Sequence, residues 1–107
     1  MTPDIFDTTR LNVVCQEALI FYGKDRQLVK CVEEMSELAV ELCHMYQGVP
    51  VPMARLYGEV AVVYILLHQI KMIYGNEALL EQLKAEKIIA IENKILAEAE
   101  YKARGGE

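Results

Sequence analysis

What most constrains this chain is where its helix-breaking residues fall. Pro3, Gly23, Gly48-Val-Pro50-Val-Pro52, Gly75-Asn76 and Gly105-Gly106 divide it into four long stretches. In each stretch apolar residues recur at threes and fours, a spacing that gathers them on one face only if the backbone is helical. The first helix is expected from a Thr8 or Thr9 cap to Tyr22, with Leu11, Val14, Cys15, Leu19 and Phe21 on its face. The second, from about Asp25 to Gln47, carries Leu28, Cys31, Val32, Met35, Leu38, Ala39, Leu42 and Met45 and stops at Gly48. The third, from Met53 to Tyr74, is apolar almost all round between Val60 and Leu67, as in a helix covered on most sides. Asn76 caps the fourth, which runs to about Lys102 with Leu79, Leu80, Leu83, Ile88, Ile91, Ile95 and Leu96.

Short connections between long helices make neighbours antiparallel. The expected fold is therefore all-α, a four-helix bundle in one domain spanning residues 1–107, with residues 1–7 and 104–107 frayed. Hydrophobic residues make up 53% of the 107 and aromatic ones 7%, which suits aliphatic helix packing. So apolar a chain this short has more to hide than one small core can take, and self-association is the expected outlet.

Eleven basic against sixteen acidic residues give a net charge of −5, too acidic for a dedicated binder of nucleic acid or of an anionic membrane. An anionic ligand would need a local device such as a metal ion. The longest apolar run, Val60 to Leu67, is far short of the ~20 residues that cross a bilayer, and the first residues lack a secretory pattern. Cys15, Cys31 and Cys43 are odd in number and widely spaced, as expected of buried, reduced thiols in a cytoplasmic protein.

The chemistry lies in the carboxylates. Glu33, Glu34 and Glu37 share one surface of the second helix, and Glu41 extends it; a solvated acidic face is the plain reading of such a cluster. Glu59 is different. At ~100° per residue from Leu56, Ile70 falls at about −40°, Glu59 at about −60° and Leu66 at about −80°, so Glu59 points into the apolar arc. A carboxylate withdrawn from water needs a partner, a proton or a cation. One solution is an ion pair with Arg55 or with a lysine of the last helix. The other is that Glu59 faces the acidic cluster across a helix pair and all share a divalent cation, for which oxygen ligands select Mg²⁺ or Mn²⁺.

Glu33-Glu34-Met-Ser-Glu37-Leu38 followed by Glu59-Val-Ala-Val-Val63 resembles the EExxE…ExxD signature of the MazG-like all-α nucleoside triphosphate pyrophosphohydrolases. The resemblance runs from about Cys15 to Leu96 and includes Phe21-Tyr-Gly23, Gln27-Leu28 and Glu86-Lys87-Ile88. It implies a MazG-like helical domain assembled as a homodimer or homotetramer. It also implies a Mg²⁺-dependent (or Mn²⁺-dependent) cut of a nucleoside triphosphate to the monophosphate and pyrophosphate. By position, Glu34, Glu37 and Glu59 correspond to metal ligands, Glu33 to an additional ligand or a carboxylate behind them, and Lys87, with Lys84 one turn earlier, to phosphate-binding lysines; for the reaction so implied, a spare glutamate, Glu33 or Glu37, could take the proton from water. Val62 stands where the family carries Asp, so one oxygen ligand and one charge are missing. That departure points to weakened activity. A non-catalytic nucleotide-binding relative and a purely structural helical interaction module are the alternatives.

Other features have plain readings. Lys84 and Lys87 also suit solvated pairs with Glu81 and Glu86, and Arg10, Lys24, Arg26 and Lys30 invite the same reading. Tyr22, Tyr46, Tyr57, Tyr64 and Tyr74 could stack on a base or fill a core. His44 and His68 have no histidine partner at helical spacing and suit a surface or an interface.

Overall fold

A computed structural model describes residues 6–106. Four helices occupy most of that span: α1 (Thr8–Tyr22), α2 (Lys24–Tyr46), α3 (Met53–Tyr74) and α4 (Glu77–Ala103), with no strand among the described residues. The protein is all-α, with helix bounds close to those the apolar spacing predicts.

The chain divides into two compact units, one ending at Gly75 and the other beginning at Asn76. In the first, α2 packs against α3 and α1 touches both. Leu11, Cys15, Cys31, Leu56, Val63 and Leu66 form its apolar core. The second unit is α4. Asn76 caps it as expected, in the left-handed conformation (φ 61°), its side-chain oxygen accepting from the Leu79 N–H at 3.4 Å.

One expectation about helix ends is corrected. Asp7, not Thr8 or Thr9, caps α1: it has the extended backbone of a cap residue and its Oδ1 accepts from the Thr9 N–H at 2.9 Å, a donor with no partner inside the helix. Asp7 is therefore held, and Phe6 sets its ring edge-on to Tyr64 with centroids 6.0 Å apart. At the other end Arg104 to Gly106 form a turn, in which the Gly106 N–H donates to the Tyr101 carbonyl. Residues 1–5 and 107, also expected to fray, lie outside the described residues.

Gly23 alone joins α1 to α2. At φ 89° it donates its N–H to Leu19 and accepts from Gln27, closing one helix and opening the next, in a conformation that a side chain would strain. Pro50 and Pro52 make the α2–α3 connection extended, and the Pro52 carbonyl accepts from the Arg55 and Leu56 N–H groups in the first turn of α3.

The buried stripe of α2 is only in part the apolar one that its periodicity suggests. Cys31 is buried as expected and Leu28 and Leu38 are half-buried, but Gln27 and Glu34 are buried beside them, whereas Val32, Met35, Leu42 and Met45 are exposed. A polar knot explains the choice. Gln27 Nε2 donates to Gln69 Oε1 at 2.7 Å, both side chains being buried, which ties α2 to α3. Cys15 donates to the Ile65 carbonyl at 3.9 Å. Burial pushes the Cys15 and Cys31 thiols up, keeping them protonated, while Cys43, expected to be buried, is exposed.

As a whole helix α3 is long and apolar enough to cross a bilayer, with mean hydropathy 1.3 over its most apolar window. The single run Val60 to Leu67 understated this, because isolated Glu59, His68 and Lys71 interrupt the helix without making it polar.

Candidate metal centre

Packing α2 against α3 brings Glu34 and Glu37 of one helix to Glu59 of the other. One carboxylate oxygen from each lies within 4.8 Å of the other two. Glu34 and Glu37 are one turn apart, so both project toward the same neighbour, and Glu59 meets them from the apolar arc of α3.

The three are not equivalent. Glu34 is 9% exposed and accepts from Lys30 Nζ at 3.0 Å, one turn earlier. That ammonium holds the Glu34 carboxyl below its ordinary range, against the opposing effect of burial. Glu37 is exposed. Glu59 Oε2 is fully buried and has no hydrogen-bond partner. Burial, then the carboxylates of Glu34, Glu37 and Glu41, push the Glu59 carboxyl up.

The ion pair that could have neutralised Glu59 goes elsewhere. Arg55 donates through Nη2 at 3.0 Å and Nε at 3.1 Å to Glu41 Oε2. Arg55 and Glu41 face each other across α2 and α3 one helical turn from the cluster, and the longer reach of arginine favours the outer carboxylate. The outer Glu41 is thus paired with Arg55 and the inner Glu34 with Lys30, whereas the buried Glu59 oxygen faces only other carboxylates. Anionic oxygens so close repel unless a proton or a cation lies among them. A hard divalent ion suits three such oxygens and completes its shell with water.

Of the other residues singled out from the sequence, Glu33 is exposed and lies on the wall of a cavity of about 540 Å³ beside the cluster. Val62 lines the same cavity, with Ile65 and Leu66 of α3 and Tyr22, Arg26, Gln27 and Lys30. Of the tyrosines, Tyr22 is on this wall, under the Arg26 guanidinium at 4.9 Å from its ring centroid. Lys84 and Lys87 belong to α4, in the second unit, where Lys84 pairs with Glu81 at 2.9 Å. His68 bonds Asn12 of α1 at 2.6 Å.

Lys30 and Arg26 are what the sequence reading missed as site residues. The signal was present in the spacing, since Lys30 precedes Glu34 by one turn and Arg26 precedes Lys30 by another, which lines the cations along the edge of the acidic face. Compared with known proteins, the chain matches no family model, no curated protein and no solved structure.

Proposed function

We propose that the protein is a divalent-cation-dependent nucleoside triphosphate pyrophosphohydrolase of MazG-like type, acting as a homodimer or homotetramer. The observation that carries the reading is the buried, unpartnered Glu59 oxygen set against Glu34 and Glu37 from a second helix. This is the carboxylate set that the sequence resemblance assigns to Mg²⁺ or Mn²⁺.

Bound there, such an ion would neutralise phosphate oxygens and acidify a water. The chain's own residues supply the rest. Glu34, Glu37 and Glu59 hold the ion's side of the site. Glu37, being exposed, keeps an oxygen within reach of solvent and can accept a proton from water. Glu33, on the cavity wall, is the other residue suited to that role. The cavity offers a nucleoside an aromatic edge at Tyr22 and an aliphatic floor at Val62, Ile65 and Leu66, at a volume in the usual range for small-molecule sites. The resemblance also suggests Lys87 and Lys84 as phosphate contacts, but both belong to α4 in the second unit and neither lines this cavity.

Assembly fits the surface. Val29, Val32 and Leu42 on α2 and Ile88, Ile91 and Ile95 on α4 are exposed, more apolar surface than isolated chains ordinarily carry. We read α3 as the core helix of such a soluble cytoplasmic assembly and not as a membrane span.

Val62 favours a second reading, a relative that binds the nucleotide and turns it over slowly or not at all. Release of pyrophosphate from a panel of nucleoside triphosphates with Mg²⁺ or Mn²⁺ tests the first reading: release abolished by chelator and by Glu59→Gln is expected. No release, with a melting point raised by Mg²⁺ and nucleotide together, selects the second. Neither effect would leave a structural helical module.

A further inference from the structure

Lys30 stands in two places at once. Its ammonium is bonded to Glu34, a member of the carboxylate cluster, and its side chain lines the neighbouring cavity, where Arg26 is the other cation and Glu33 the one acid. Resting on the cation-site reading above, we propose that Lys30 is a tethered counter-cation, which holds Glu34 while no divalent ion is bound, yields that oxygen when one arrives, and then presents its ammonium to an anionic group in the cavity.

The geometry supports each part. Lysine at i with glutamate at i+4 is the weaker order for a helical ion pair, so helix geometry alone gives little reason for this bond. Its partner supplies the reason. Glu34 is only 12% exposed at the side chain and stands among other carboxylates, while Lys30 is 50% exposed and reaches inward to it. Glu33 and Glu37 add to the field that keeps the Lys30 ammonium charged. Arg55 offers the contrast, because its partner Glu41 lies outside the set of three.

An ammonium and a divalent ion repel, and both cannot press on the same nearly buried oxygen. Four methylenes of free rotation let the displaced ammonium stay on α2 and turn to the cavity wall. There a phosphate-bearing ligand would meet Lys30 and Arg26 together. Metal and anion binding are then coupled through one side chain, each favouring the other.

The test uses the full chain. Calorimetric titration with Mn²⁺ compares wild type, K30M, K30R and R26M. K30M is expected to bind Mn²⁺ about three- to fivefold more tightly than wild type, the factor that competition from an exposed ion pair is worth. K30R keeps the competitor and stays near wild type; R26M, which removes a cation not bonded to the cluster, changes affinity by less than about twofold. In the Mg²⁺-saturated protein, inorganic phosphate is expected to bind K30M more weakly than wild type. Equal or weaker Mn²⁺ binding by K30M, or an equal gain in R26M, overturns the proposal while leaving the cation site standing. Phosphate affinity unchanged in K30M overturns its second half. Absence of Mn²⁺ binding in all four proteins overturns the proposal and the cation-site reading together.

Discussion

Substituting Gln27 by leucine tests whether the polar knot, and not apolar contact alone, fixes α2 against α3. Leucine keeps most of the volume but removes the only Nε2 donor that meets Gln69 Oε1 at 2.7 Å, where Gln69 is 5% exposed and beyond easy reach of water. A buried acceptor left without its donor costs about 1–3 kcal/mol. At roughly 4–8 °C per kcal/mol in a domain of this size, Q27L should melt about 4–24 °C below wild type. Gln69→Leu should cost a similar amount for the same reason. The double variant decides the matter, because replacing both amides by apolar groups leaves neither orphaned. It should be more stable than the sum of the two single losses implies, by about 1–3 kcal/mol. Urea denaturation of the four proteins, read as midpoints at constant slope, completes the cycle. Strict additivity, or a Q27L loss below about 0.5 kcal/mol, would refute the reasoning, since surface substitutions of no consequence fall in that range.

Other substitutions probe the site. Glu59 holds its proton more tightly folded than unfolded, so without metal its contribution to stability should fall as pH rises from the ordinary glutamate value of 4.5 through the raised folded value. Glu59→Gln should remove that decline, seen as a flatter curve of melting temperature against pH in chelator; parallel curves for the two proteins would count against it. On the proposed function, Val62→Asp adds a carboxylate where the resemblance expects a ligand and should raise Mn²⁺ affinity on the order of tenfold, the scale on which partners around a metal act, and raise pyrophosphate release with it; unchanged affinity and rate would dismiss the missing-ligand account. Arg55→Ala strands Glu41 and should cost about 1 kcal/mol or less given the exposure of the arginine, measured by urea denaturation; a rise in stability would contradict the pairing.

The helices were legible because Gly23, Gly48 and Gly75 with Asn76 end them, and their conformations bear this out. Which face of α2 would be buried was not. Periodicity favours Cys31 together with Val32, Met35 and Leu42, yet only Cys31 of these is buried, flanked by Gln27 and Glu34, because one hydrogen bond from Gln27 to Gln69 makes a polar side chain suitable for burial. No count of apolar residues registers a partner on another helix. For Glu59 the angular argument sufficed, since a lone acid amid Leu56, Leu66 and Ile70 must turn inward wherever α2 lies. Its partners could not be read the same way. Arg55 is one turn from Glu59 in sequence but bonds Glu41 on α2, a choice settled by the register of the two helices. The Asp7 cap was hidden because two threonines follow it directly and either could have served.

The central claim is that three carboxylates from α2 and α3 share a divalent cation, and Mn²⁺ paramagnetic resonance reads this without any assumption about substrate. Free Mn²⁺ gives a sharp six-line signal that broadens away when the ion is bound. The account predicts saturable loss of that signal on adding wild-type protein, and its retention with Glu59→Gln at the same concentration. Equal loss with both proteins, or none with either, would contradict it.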